Sequence, residues 1–367
     1  MKRLKIICSD KTGIEGSAIE QLKFTLNLEG MLAAYAMPDV HPGKGHPIGA
    51  SFLSESIIYP YLIGNDIGCG MSFYKLDCKK LKQDKTIKKI SSLEVPLDEE
   101  IALDFFNQHQ LEPKFTSAIG TVGGGNHFCE FQQVDKIINE SLFNEYNLDK
   151  KSFYLLVHSG SRGLGEYILQ KHIKKYNSKG LEISNPDFQS YMEEHNFAIE
   201  WARLNRKVLA DRLASQLNFK YSLINDIEHN FIEEYPNNTF LHRKGAIPSN
   251  KGLVIIPGSR GHYSYLVKPK DVDIFASLNS LSHGAGRKWK RSEVKKRLSH
   301  KYKVSDLQKT SLGSRVICED KDLLYQEAPF AYKNIHSVIQ DLIDEGLIEI
   351  VAIMKPFITY KRKKSCC

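Results

Sequence analysis

No apolar run in this 367-residue chain approaches the ~18 residues that a membrane-spanning helix needs. The N-terminal stretch MKRLKIICSDK is too short an apolar segment for a secretory signal, so the chain reads as cytoplasmic. Cysteine is sparse: Cys8, Cys69, Cys78, Cys129, Cys318, Cys366 and Cys367 are odd in number and scattered. Without an export signal, that pattern argues against a disulfide framework. Neither CxxC nor HExxH occurs, so no zinc site of those spacings is present. No low-complexity linker and no internal repeat divides the chain, which leaves one large α+β domain over residues 1–367. The net charge of +8 permits a polyanionic partner without requiring one.

What the chain does have is a series of glycine-bent turns carrying polar side chains. GTVGGGNHFCE, residues 120–130, runs three glycines into Asn126, His127 and Glu130. Bare N–H groups on such a turn make a phosphate cradle; the alternative is a tight turn into a strand over 127–132, with His127 satisfied in the core. MPDVHPGKGHPIGA, residues 37–50, reads as a rigid loop holding Asp39, His41, Lys44 and His46. In YLIGNDIGCGMSF, residues 61–73, Asp66 and Cys69 share one glycine-rich loop. They can reach the same cation, and a thiolate can bridge two; the ordinary fate of such a cysteine is burial. Ser152–Val157 is an apolar strand that delivers His158 to the loop SGSRGLG. LSHGAGRKWKR, residues 281–291, places His283 in a third glycine-rich turn, followed by basic residues around Trp289, a pattern suited to nucleic acid.

The remaining elements frame these turns. Residues 3–8 read as a strand, 17–28 as an amphipathic helix, and 79–118 as charged and helical. Phe197, Trp201, Leu204 and Val208 line one face of a long helix over 187–217 and read as core, with His195 structural. Residues 226–235 read as one strand containing His229 and Asn230. Arg243 and Lys244, before Gly245, suit phosphate contact, with a solvated charge pair as the default. Residues 252–267 form a strand, a PGSRG turn and a second strand. A helix is expected over 335–345 and a last strand over 347–354, with the Lys and Arg of the tail exposed. One thiolate, three imidazoles and a carboxylate (Cys69, His127, His158, His229 and Asp66) suit Mn²⁺, Zn²⁺ or Fe²⁺, although their spacing alone does not establish a site.

Taken together, MPDVHPGKGHPIG, NDIGCG, GTVGGGNHFCE, HSGSRGLG, the His229-Asn230 pair, HRKGA, PGSRG, HGAGR, EAPFAYK and the terminal KP…K resemble the RtcB RNA ligases, in order from about residue 37 to 361. The resemblance implies that family's α+β fold and a GTP- and Mn²⁺-dependent ligase. Such an enzyme joins RNA ending in a 3′-phosphate or 2′,3′-cyclic phosphate to a 5′-hydroxyl end. By motif, Asp66, Cys69 and His127 would hold one Mn²⁺, and Cys69, His158 and His229 the second. His283 would be the nucleophile that takes GMP. The guanylate would be held by Asn126, Glu130, Asn230, Pro257, Gly258, Ser259, Arg260, Ser264, Gly284, Ala285, Gly286 and Lys361, beside His127 and His229.

Some positions depart from that pattern. Arg260 and His262 stand where the resembling turn reads Met and Thr, KWKR follows HGAGR, and the end reads Lys361-Arg362 before KKSCC. These features resemble a shorter branch linked with a peptide-release-factor homologue, which implies RNA repair; a monomer is expected. Two other functions remain open: a 3′-phosphate guanylyltransferase or cyclic phosphodiesterase that does not seal, and a non-catalytic metal-containing RNA-binding protein. If Arg260 reads RNA, Arg260→Met shifts preference between competing RNA ends while protein labelling by GTP stays near normal. Equal loss in both assays instead puts Arg260 in the nucleotide pocket.

Overall fold

The computed structural model describes residues 2–363. Helices and strands mix as an α+β fold built on two principal sheets. A five-stranded sheet runs in the order 3–6, 31–41, 48–55, 239–244, 230–235. The larger sheet runs in the order 254–257, 264–269, 348–362, 128–137, 153–159, 70–76, 221–228, and strand Arg315–Cys318 pairs with the far half of 348–362.

Register decides where the polar turns converge. In the larger sheet, His158 pairs with Met71 on one side and Phe128 on the other. Gly70 pairs with both Ser159 and Glu228. The antiparallel ladder therefore brings Cys69, His127, His158 and His229 to one edge of the sheet. His229 is also the residue between strands Tyr221–Glu228 and Asn230–Tyr235, where the chain leaves one sheet for the other.

Helix Phe188–Leu217 packs behind this edge. Trp201, Leu204 and Val208 are buried as the apolar stripe requires, and Phe197 is half-buried beneath the Lys114 ammonium. His195 is a core residue whose Nε2 accepts the Ile232 N–H. The close approach of this helix explains Gly68, which has φ +71°; a Cβ there would stand 2.9 Å from the Ile199 Cα.

The same helix carries two fully buried polar side chains that fasten the loops. Asn205 accepts the Gly120 N–H and donates to Thr121 O and Ser159 Oγ. Arg206 donates through Nη1 to Gly68 O at 2.8 Å and Ser159 O at 3.0 Å. Its other nitrogens meet Ser72, Asp226 and Glu228.

Several segments differ from the sequence reading. Residues 37–50 are mostly strand, since Met31–His41 and Ile48–Glu55 leave only 42–47 as a turn. The first helix is Gly16–Leu26, and residues 79–118 contain only helices Gln83–Lys89 and Glu99–Gln108 and a short turn at Thr116–Ala118. The expected strand 226–235 breaks at His229. Arg243 is fully buried on Glu233, and Lys244 donates to Ile63 O, so neither is a solvated surface charge. The last strand continues through Pro356 to Arg362 because the register shifts between Pro356 and Ile358, where a missing N–H is tolerated. That extension buries Lys361, contrary to the exposed tail expected; Lys364, Cys366 and Cys367 lie outside the described residues.

Removing the Arg206 charge leaves Asp226 without its guanidinium and Glu228 with Arg203 alone, and frees the carbonyls of Gly68 and Ser159. Arg206→Met is expected to destabilise by about 3–5 kcal/mol in equilibrium denaturant unfolding, with Arg206→Lys intermediate. A loss under about 1 kcal/mol would show that the network is not what closes this edge.

Candidate active site

At the sheet edge, two groups of potential ligands share Cys69. The ligand atoms of Asp66, Cys69 and His127 lie within 4.8 Å of one another, and so do those of Cys69, His158 and His229. Cys69 Sγ is 3.3 Å from His127 Nε2 and 3.2 Å from His158 Nε2. Asp66 Oδ2 is 2.7 Å from His127 Nε2. The imidazoles form a row: His127–His158, His158–His229 and His229–His283 ring centres are 5.2, 5.1 and 4.9 Å apart.

Electrostatics at this point favours a cation. Burial pushes His158 and His229 well below the usual histidine range, and neighbouring imidazoles add to it, so both are neutral with a lone pair available. Burial raises the Cys69 thiol well above its ordinary value, and Asp66 beside it raises it further. Burial alone would raise Asp66 too, but the adjacent His127 prevails and leaves its carboxyl below the usual range. The Nδ1 atoms of His127, His158 and His229 are buried without a hydrogen-bond partner among the described residues. One sulfur, three imidazoles and one carboxylate could therefore hold borderline divalent metal, whose binding would displace the thiol proton.

His283 follows the short strand Ser280–Ser282 and ends the imidazole row. Its Nδ1 lies 2.6 Å from Asp39 Oδ2, and its backbone N–H donates to the same oxygen at 3.2 Å. The ring sits within ion-pair reach of the carboxylate but off the line of a well-formed hydrogen bond. Asp39 is fully buried, so this carboxylate has little competition from water.

A cavity of about 760 Å³ opens beside His283 and His158. Its wall includes Asn126, Glu130, Pro257, Gly258, Ser259, Arg260, Gly284, Ala285, Gly286 and Lys361. Four other expected nucleotide residues are not in that wall. His127 and His229 belong to the ligand cluster. Asn230 is tied to the Gly245 N–H and Asp66 O, and Ser264 accepts from Gln132 behind Glu130.

The inner end of the cavity is rich in buried charge. Burial pushes Glu130 up, against hydrogen bonds from Thr359 and Gln132. Lys361 is pushed down to about 8 by burial, opposed by Glu327 3.8 Å away. Glu327 also meets Arg287 and Arg291. The Arg260 guanidinium is buried here; its Nη2 donates to Leu324 O, while Nε and Nη1 have no hydrogen-bond partner among the described residues. Trp289 carries Lys288 and Arg297 over its ring, so it is not a bare stacking platform.

Sequence reasoning named Asp39 only as a loop residue and missed Arg206 and Glu327. The signal for Asp39 was a carboxylate inside the apolar strand-forming run AAYAMPDV. For Arg206 it was a cation at i+4 from Ala202 and three residues before Leu209, on a buried helix face.

The model of the tRNA-splicing ligase RtcB family matches residues 21–106 and 102–362. Among curated proteins, the chain is 47% identical over 360 residues to an RNA-splicing ligase RtcB2 of Escherichia coli, covering 97% of this chain and 94% of that protein. It is 26% identical to the tRNA-splicing ligases RtcB of Archaeoglobus fulgidus and Methanococcus maripaludis, covering 94% of this chain and 90% and 91% of theirs. Those two alignments extend over 438 positions, more than the 367 residues of this chain, so the archaeal proteins carry residues that it lacks. With the family model spanning nearly the whole chain and a relative of this similarity aligned end to end, the protein belongs to the RtcB family and is an RNA ligase.

Proposed function

We propose that the enzyme is GTP- and Mn²⁺-dependent. It joins RNA ends bearing a 3′-phosphate or 2′,3′-cyclic phosphate to 5′-hydroxyl ends through a His283–GMP adduct. The observation that carries this reading is His283 itself, with Nδ1 against the buried Asp39 carboxylate and its ring beside His229 at the mouth of a nucleotide-sized cavity. A neutral imidazole whose Nδ1 is held presents Nε2 as a nucleophile.

In this reading, Asp66, Cys69 and His127 hold one ion, and Cys69, His158 and His229 the other. Bound there, the ions neutralise phosphate oxygens and act as Lewis acids toward phosphorus. His283 Nε2 attacks the α-phosphorus of GTP; the N–P bond forms as the P–O bond to pyrophosphate breaks, and pyrophosphate leaves with that electron pair. The Nδ1 proton stays against Asp39. GMP then passes to the RNA 3′-phosphate and frees His283. The 5′-hydroxyl attacks that phosphorus, a phosphodiester forms, and GMP leaves. A cyclic end is first opened by water. Asn126, Glu130, the 257–260 turn, the 284–286 turn and Lys361 hold the guanylate, with Asn230 and Ser264 supporting from behind. The same reading takes residues 1–367 as one ligase domain acting as a monomer in RNA repair, with a functional link to a release-factor homologue. The buried position of Arg260 next to Lys361 favours a nucleotide-side role over RNA reading.

Incubation with labelled GTP and Mn²⁺, followed by RNA ends, tests the scheme. Cys69→Ala is expected to form no adduct and no joined RNA, because both ligand groups lose their shared sulfur. Full ligation by that variant would sink the two-ion reading.

His283→Ala is expected to retain Mn²⁺, measured by metal analysis, and to form no protein–GMP adduct. It should still seal RNA supplied with a preformed 3′-guanylate cap. A variant that is still labelled by GTP would place the nucleophile elsewhere, and one that loses metal would make His283 a ligand.

A further inference from the structure

Asp39 stands in an irregular part of its strand. Ala36 pairs with Ala50, and the next pair is His41 with Ile48, so residues 37–40 face Gly49 alone. Such a bulge leaves backbone groups outside the ladder. Two side chains collect its carbonyls. Lys333 Nζ donates to Pro38 O at 3.0 Å, and His41 Nδ1 lies 2.9 Å from Asp39 O.

Lys333 also grips the other side of the contact. Its backbone N–H donates to Gly286 O at 2.9 Å, in the turn that begins at His283. Gly286 has φ +70°, and a Cβ on it would stand 2.1 Å from Asp39 O, so this turn lies directly on the bulge. One residue thus fastens both the strand that carries Asp39 and the turn that carries His283.

The way Lys333 is buried needs a reason. It is 7% exposed and, among the described residues, forms no ion pair within 4 Å; the charged groups near it are Asp39 and Asp341, with the Cys8 thiol alongside. A buried ammonium that donates to one backbone carbonyl and to no carboxylate within reach is a poor stabiliser of a fold. It is outside the cavity wall, so it does not contact the nucleotide there.

We infer that Lys333 is a positioning residue for the nucleophile: its ammonium on Pro38 O and its N–H on Gly286 O hold the Asp39 carboxylate under Nδ1 of His283, so that Nε2 faces the cavity. The inference rests on the reading of His283 as the group that takes GMP.

The test compares wild type, Lys333→Met, Lys333→Arg, Asp39→Asn and the Lys333→Met/Asp39→Asn double variant. Two steps are measured separately: the single-turnover rate of protein labelling across GTP concentrations, and sealing of RNA carrying a preformed 3′-guanylate. Lys333→Met is expected to slow labelling about 10- to 100-fold in the maximal rate, the size of effect that misplacing a reacting group produces. The half-saturating GTP concentration and the sealing rate should stay within about threefold of wild type. Lys333→Arg, which keeps a charged donor, should recover most of the labelling rate. The double variant should be no slower than Asp39→Asn alone, because both act through one contact.

Unchanged labelling by Lys333→Met overturns the inference. So does an equal loss of labelling and sealing, or a loss that multiplies with that of Asp39→Asn. If Lys333→Met does not fold, Lys333→Gln carries the same comparison with a neutral donor. Failure of wild type to form any adduct would instead overturn the reading of His283, which separates the two outcomes.

Discussion

The site depends on one buried guanidinium. Arg206 lies on a helix behind the larger sheet, yet its Nη1 reaches the carbonyls of Gly68 and Ser159, the residues next to Cys69 and His158. The adjacent Asn205 does the same for Gly120 and Thr121, which begin the glycine turn leading to His127. Loop carbonyls and N–H groups at a buried strand edge have no ladder partner and must be satisfied by something. Here a single helix turn satisfies them, and in doing so sets the spacing of Cys69, His127 and His158. Asp226 and Glu228 neutralise the guanidinium and tie the strand that leads into His229 to the same point.

Much of the site was legible because its residues sit in turns whose composition has no other explanation. Three glycines before Asn126 and His127, or glycines on both sides of Cys69, are poor choices for a packed core and apt ones for a close backbone approach. The apolar stripe of the long helix was equally readable, since Trp201, Leu204 and Val208 obey its period. The limits of strands were not. Residues 37–41 contain Pro38 and Asp39, which read as turn chemistry, but pairing with two neighbouring strands overrides local preference. In the last strand a bulge absorbs Pro356, and no one-dimensional signal marks a bulge that lets proline into a central strand.

Side chains acting through a second residue were the hardest to see. Asp39 and His283 lie far apart in the chain, and only the docking of the His283 turn on the bulge joins them. Burial was misjudged for the same reason at Lys361, Arg243 and Lys244. A basic residue in an isolated segment reads as solvated, whereas here Glu327, Glu233 and the Ile63 carbonyl supply partners from distant segments. The charges of the cavity are thus a property of the assembled walls, not of any one motif.

The position of His229 has a mechanical consequence. It is the residue at which the polypeptide crosses from the larger sheet to the smaller one, and its backbone is pinned on both sides: its N–H donates to Cys69 O and its carbonyl accepts the Ala246 N–H. A slide of one sheet over the other cannot leave the separations among His229, Cys69 and His158 unchanged. The ligand cluster therefore sits where the chain passes from one sheet to the other. An ion held by Cys69, His158 and His229 would fix the end of the larger sheet at the residue from which the smaller one departs, so a loosening of either sheet would change the bite of the ligands.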